Sequence, residues 1–373
     1  MPCQETFTGP LNYKNIMKNS YFIALLSFLT FNSGAQQPLM NDTNKPLNII
    51  IIIEEGLGLP AISAAQTIKG SDLNISKAHV IGITKTSSAD DFVTDPASFG
   101  TAIACGIKTN NGVIGLDTLM QKSTNLFEMA KKEKMSVGFV TTSYVVDAVP
   151  AAFYAHQKSS SDYDSIAKNL LDSDLDVFIG GGRKYFRTKG DSTTLYKELN
   201  VKGYKILEDY GDLKTKSKKK LAGLIRSGEM QGILKGRGEY LDLAFQRAFR
   251  SLVKNDTGYI LVIHDAHYNW AAANNEKNEM IAEIMDVDKV LGRILNMTLP
   301  ENNTLVLVIG GFETGGVSVL GNRYSKTDPN IKFAAKHRTA SMAPVFAFGP
   351  GALLFSGVYD NTDIFVKIKS LIE

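Results

Sequence analysis

The chain has 373 residues, of which 44% are hydrophobic and 21% charged, an ordinary globular composition with length enough for one large α/β domain. A formal net charge of +3 without a dense Lys/Arg block argues against nucleic acid as a partner. The single basic run, Lys214–Lys220 (KTKSKKK), reads as a solvated loop or helix start.

At the N-terminus, Met17-Lys18-Asn19 precedes an apolar run from Tyr21 to Phe31, then Ser33-Gly34-Ala35. A short basic region, an apolar stretch and a small-residue site make a signal peptide, with cleavage near Ala35. The run is too short to span a bilayer. The sequence therefore predicts a periplasmic or secreted protein with no membrane span. Residues 1–35 are leader and signal, 36–46 a polar linker, and 47–373 one α/β domain. Cys3 precedes the signal and Cys105 stands alone after it, in an apolar helical context that suits a buried small hydrophobe.

Leu47–Ile53 is a nearly continuous β-branched run, as expected of a strand buried on both faces. Similar runs recur at Val137–Thr141, Val177–Ile179, Tyr259–Ile263, Leu305–Ile309 and Val345–Phe348. Amphipathic helical stretches lie among them at Asn125–Lys134, Tyr163–Asp172, Tyr240–Val253 and Glu279–Asn296. The alternation predicts an α/β fold whose central, mostly parallel sheet is sandwiched by helices. The polar segment Arg187–Arg237 reads as helices and loops inserted on that sheet. Functional groups in such sheets gather just beyond the carboxyl ends of the strands. Those positions hold Glu54–Gly58, Asp147–Pro150, Gly180–Arg183, His264–His267 and Gly310–Gly316.

Several segments together resemble the alkaline phosphatase family. Asn48–Gly58 is similar to its first strand and turn, and Val93–Gly115 (VTDPASFGTAIACGIKTNNGVIG) to its nucleophile helix. Ala148–His156, Asp176–Phe186 (DVFIGGGRKYF), Gly258–Asn275, Thr304–Gly316 and Ala343–Ala352 resemble further blocks in the family's order. The resemblance runs from about Leu47 to the C-terminus. It implies the family's fold and, for an active member, phosphomonoester hydrolysis through a phosphoserine. Two Zn²⁺ and one Mg²⁺ support that reaction, and an Arg holds the phosphate.

Each of those parts needs a particular side chain. Where the family has Thr-Asp-Ser-Ala, this chain reads Thr94-Asp95-Pro96-Ala97. Pro96 has no hydroxyl, yet it suits the first position of a helix capped by Asp95. Ser98, two residues on, is turned about 200° away on a helix, which argues against its replacing the nucleophile. At one zinc site the ligand positions read Asn269, Ala273 and Arg338, and at the other Gly311 and Phe312. The bridging position is Glu55. The magnesium positions are Val149 and His264, and the phosphate-holding Arg aligns with Ser160. Ala offers no donor and a guanidinium is never deprotonated, so the resemblance carries the fold but no family metals.

The remaining polar groups, Glu55, Asp95, His264, Asp265, His267, Glu313, His337 and Arg338, admit two sharper readings. One is a rewired metal site of His264 and His267 with Glu55 or Asp265. It is disfavoured because residues three apart face opposite ways on a continuing strand. The other is an anion site at Arg338 with backbone donors around Gly310-Gly311. A structural ion pair of Arg338 with Glu55, Asp95 or Glu313 is the preferred alternative to it. Gly180–Arg183 reads as a structural turn, and Trp270 as core. The expectation is an exported, non-catalytic relative without cofactors, partnered by an anionic small molecule, a second copy of itself or an active homologue. The competing reading is a phosphate- or sulfate-ester hydrolase with a rearranged site.

Overall fold

The computed structural model describes residues 45–187, 194–217, 220–321 and 329–373. The predicted signal peptide, nearly all of the predicted linker and Lys218-Lys219 of the basic run lie outside the described residues. The strands are β1 (Asn48–Glu54), β2 (Val80–Lys85), β3 (Ser136–Tyr144), β4 (Val177–Gly181), β5 (Tyr204–Leu207), β6 (Lys220–Leu224) and β7 (Tyr259–Asp265). They continue with β8 (Thr304–Ile309), β9 (Glu313–Thr314), β10 (Val317–Leu320), β11 (Asn330–Phe333), β12 (Arg338–Thr339), β13 (Ala343–Phe348) and β14 (Gly357–Asp360). The helices are α1 (Leu59–Lys69), α2 (Pro96–Cys105), α3 (Leu126–Lys132), α4 (Ala148–Ala151) and α5 (Tyr163–Asp172). They are followed by α6 (Thr194–Val201), α7 (Tyr240–Leu252), α8 (His267–Ala273), α9 (Lys277–Thr298) and α10 (Thr362–Ile372).

Ten strands form one sheet in the order β14-β2-β13-β8-β1-β7-β3-β4-β6-β5. Every pairing in it is parallel except the two made by β13. Its centre is β1, whose five isoleucines Ile49–Ile53 are each at most 1% exposed. The two-residue side-chain period of a strand sorts them. Ile49, Ile51 and Ile53 enter the core beneath α2, α3 and α5, while Ile50 and Ile52 enter the opposite core under α1, α7 and α9. A strand buried on both faces has no polar side to show, hence the unbroken apolar run.

The six predicted strands and four predicted helices are present, with ends shifted by a few residues. The segment read as helices and loops supplies helix α6 as expected, and in addition β5 and β6, which extend the sheet at one edge. Both strands are short: β5 has half-buried residues at Lys205 and Ile206, and the buried run of β6 is only Leu221–Leu224. Toward the other edge, where β14 is outermost, the adjacent β2 alternates buried with more exposed residues. Cys105 is buried as expected, at the end of α2, and burial pushes its thiol pKa far up.

Candidate functional site

The parallel register sets β1, β3, β7 and β8 level, so the residues leaving their carboxyl ends meet. Ile53 lies opposite both His264 and Ile309, and Thr141 lies opposite His264. Glu55 follows β1 into a turn at Gly56, whose φ of +95° suits glycine. A Cβ there would stand 3.0 Å from Thr314 Oγ1.

A hydrogen-bonded chain crosses these strand ends. Thr141 Oγ1 accepts from the Ser143 amide at 3.0 Å, so its proton is free for His264 Nδ1 at 2.9 Å. His264 Nε2 then donates to Glu55 Oε2 at 2.9 Å. Asn269 Nδ2 donates to Glu55 Oε1 at 2.7 Å, and Thr314 Oγ1 to Asn269 Oδ1 at 2.7 Å. Every side chain in the chain is buried. Burial drives the Glu55 carboxyl up, against the hydrogen bond from His264. Burial pulls His264 down, but the Glu55 bond and the charges of Glu55, Asp147 and Asp265 hold it above the ordinary imidazole value.

At the start of α2, Asp95 caps the helix: Oδ1 accepts from the Ser98 amide at 2.8 Å, and Oδ2 from the Gly112 amide at 2.7 Å. Pro96 occupies the first helical position, where its missing N–H is harmless. The Ser98 hydroxyl is buried and engaged with Thr94 Oγ1 at 2.7 Å, Asn111 Oδ1 at 2.8 Å and Asp95 Oδ1 at 2.8 Å. Val149 is buried in α4, Ala273 lies near the end of α8, and Phe312 packs edge-on against Phe99 at 5.6 Å. Gly311, at φ +81°, faces the Phe99 ring. The Ser160 amide donates to the Gly112 carbonyl at 2.8 Å.

The preferred ion pair of Arg338 does not form. Glu55 is taken up by His264 and Asn269, and Asp95 by the cap. Glu313 accepts from the amides of Gly316 and Val317 and from Thr339 Oγ1. The half-buried Arg338 makes no ion pair among the described residues. Its guanidinium lies 5.8 Å from the Phe312 ring centroid, and its buried Nε has no hydrogen-bond partner. The Gly310 amide, expected to help hold an anion, donates instead to the Pro344 carbonyl. His337 is exposed, with Nδ1 on the Arg338 carbonyl at 2.8 Å.

His267 does not join His264. Strand β7 ends at Asp265 and His267 opens α8, with Nε2 on the Met230 carbonyl at 2.8 Å. Asp265 faces Thr142 Oγ1 at 2.7 Å and the Tyr268 amide at 3.1 Å. The rewired set of His264, His267 and Asp265 is therefore not brought together. Trp270, expected in the core, is half-buried against the His267 ring at 4.6 Å. After β4, the amides of Gly182 and Arg183 are taken by the carbonyls of Gly228 and Arg226, as befits a structural turn.

Beneath the site lies a network that the sequence reading did not single out. Arg237, fully buried, contacts Glu283 closely, Asp286 Oδ2 at 2.9 Å and Asp265 Oδ1 at 3.6 Å. Glu54 stands nearby with Oε1 unpartnered, and burial followed by the charge of Asp265 raises its carboxyl well above the usual range. The available signal was Glu283 and Asp286 on the apolar stripe of α9, where a carboxylate needs a buried partner.

A mostly parallel sheet between two helical layers, with its polar cluster past the carboxyl ends of the central strands, defines the alkaline-phosphatase type of α/β protein. The alkaline phosphatase family model matches residues 46–342, and the chain belongs to that family. It is 30% identical over 319 residues to alkaline phosphatase 4 of Bacillus subtilis (strain 168), covering 81% of this chain and 69% of that one. To the alkaline phosphatase of Escherichia coli (strain K12) it is 27% identical over 426 residues, covering 91% and 89%. The solved alkaline phosphatase of the Antarctic bacterium TAB5 superposes with a TM-score of 0.82 at 32% identity, covering 88% and 99%.

Proposed function

We propose that this protein is an exported, non-catalytic member of the alkaline phosphatase family that holds an anion at Arg338 without turning it over. The observation that carries the reading is the start of α2. Pro96 stands at the nucleophile position, and the flanking hydroxyls of Thr94 and Ser98 are both buried and hydrogen-bonded to each other, with Ser98 also against Asp95 and Asn111. A phosphoserine step needs a hydroxyl within reach of a base and open to the phosphorus.

The donor set is equally unsuited to the family's Zn²⁺ and Mg²⁺. Zinc takes three or four close N, S or O ligands. Here the one carboxylate and the one imidazole at the aligned positions bind each other, and Asn269 fills the second carboxylate oxygen. Among the described residues, no three His, Cys, Asp or Glu side chains stand close enough to share an ion. Supporting the anion reading, Arg338 is a fixed positive charge with a planar fork of donors, a buried Nε without a hydrogen-bond partner and no ion pair among the described residues. Export follows from the predicted cleavage near Ala35, leaving a folded domain from about Leu47.

The test is an assay of the purified protein on a chromogenic phosphomonoester with Zn²⁺ and Mg²⁺ at alkaline pH. No turnover above buffer is expected, and turnover abolished by Glu55→Ala would refute the proposal. Inorganic phosphate titrated calorimetrically should bind the wild type and be lost with Arg338→Gln.

A further inference from the structure

A second cationic feature lies at the opposite end of the sheet, near the amino ends of β6 and β7. Residues 214–217, just before β6, face the C-terminal half of α7 across a cleft of about 790 Å³. Lys214, Lys216, Arg247, Arg250 and Lys254 line it with Val253, and no Asp or Glu does. None of these five cations makes an ion pair among the described residues. Arg250 Nη2 donates to Gln246 Oε1 at 2.9 Å, so that contact leaves its charge unmatched. At the rim, Lys205 Nζ donates to Thr215 Oγ1 at 2.9 Å, adding a sixth cation nearby.

Arg247 is the informative member. It is only 3% exposed, yet its Nε and Nη2 are buried with no hydrogen-bond partner. A buried guanidinium left unpaired is costly, and the cost is relieved by an anion that accepts from those nitrogens. Burial, then the charge of Arg250, lowers its pKa, the direction expected of a cation without a counter-ion. The bland explanation is that basic residues complement the C-terminal end of α7. That end carries only about half a negative charge, which one lysine would offset. Five cations overshoot it.

We infer that this cleft binds a small organic phosphate bearing two or more phosphate groups, with Arg247 as the buried anchor. Arg recognises phosphate oxygens through paired donors, and the lysines supply point charges for a further phosphate. The volume suits a ligand of nucleotide size rather than a lone inorganic ion. Val253 and the alkyl stems of the lysines and arginines offer apolar contact to the organic body. No aromatic side chain lines the cleft, so it lacks the stacking platforms on which single-stranded nucleic acid is held. The inference is independent of the reading at Arg338, which faces a different end of the sheet.

The test is calorimetric titration of the full protein with the α,β-methylene analogue of ADP, which resists cleavage of its phosphate bridge. Wild type should bind, and Arg247→Met should weaken the binding at least about tenfold, the loss expected for a charged hydrogen-bond pair. Should Arg247→Met fail to fold, the surface double variant Lys214→Ser, Lys254→Ser should weaken binding several-fold with an unchanged circular dichroism spectrum. Raising the salt should weaken it in parallel, because exposed charges are screened. No binding by wild type, or binding untouched in all these variants, overturns the proposal. Equal or tighter binding of a labelled single-stranded oligonucleotide, lost on the same substitutions, overturns the small-molecule assignment. The Arg338 reading is judged separately, by inorganic phosphate and Arg338→Gln.

Discussion

Replacing Asp95 by Ala tests whether this carboxylate, retained beside Pro96, now serves the fold. In the structure Asp95 Oδ1 accepts the Ser98 amide and hydroxyl, each at 2.8 Å, and Oδ2 accepts the Gly112 amide at 2.7 Å. Losing the helix cap costs about 1 kcal/mol. The half-buried Gly112 amide, left without an acceptor, adds about 1 kcal/mol, the low end of the range for an unsatisfied donor. The Ser98 hydroxyl keeps Thr94 and Asn111 and contributes little. The total is about 2 kcal/mol, which for a domain of this size, at about 2.1 cal/mol/K of unfolding entropy per residue, lowers Tm by about 3 °C. Asp95→Asn keeps one acceptor oxygen for the cap but turns an NH₂ toward Gly112, so about half of the loss should remain. Urea unfolding and thermal scans followed by circular dichroism measure both. A loss below about 0.5 kcal/mol for Asp95→Ala, or equal losses for the two variants, would refute the capping role.

Pro96→Ser should fold, losing about 0.4–1 kcal/mol through greater freedom of the unfolded chain. With Zn²⁺, Mg²⁺ and a chromogenic ester it should yield neither turnover nor a phosphoprotein, and either product would show that the lost hydroxyl was the sole deficiency. Arg237→Met should destabilise by about 3–5 kcal/mol, because it strands Glu283 and Asp286 in the interior. Unfolding no easier than wild type would contradict that. His156 places Nδ1 on the Gly115 carbonyl at 2.8 Å and Nε2 on Glu128 at 3.1 Å. Two acceptors require both nitrogens to donate, so the imidazolium is favoured, and the Glu128 bond raises the His156 pKa. The pair's stabilisation is present below the unfolded histidine pKa and fades as pH rises through the higher folded value. Being partly exposed, it is worth at most about 1 kcal/mol. NMR titration should find His156 above about 6.5 in the wild type and lower in Glu128→Gln, and an unchanged midpoint would rule out the pairing.

The alternation of apolar runs and amphipathic stretches was enough to place the central sheet. Strands such as β1 are buried on both faces, and their sequence carries the evidence of that burial locally. The edge strand β5 and its neighbour β6 are too short, at four and five residues, to record their pairing in a local pattern. Pro96, Ala273 and Phe312 were likewise legible, since a missing hydroxyl or donor is a property of the side chain itself.

Pairing was not legible. The sequence supplied Arg338 and three carboxylates in its vicinity, and charge alone favoured joining them. The fold assigned each carboxylate elsewhere: Glu55 to His264 and Asn269, Asp95 to the start of α2, and Glu313 to backbone amides and Thr339. It joined Arg237 to Glu283 across 46 residues, and set Arg247 facing the lysines before β6. By itself, then, the sequence determined which chemical groups this protein possesses and which strands and helices carry them. Tertiary structure alone decided which charges are neutralised and which remain open, because a hydrogen bond depends on distances of about 3 Å that no local pattern encodes.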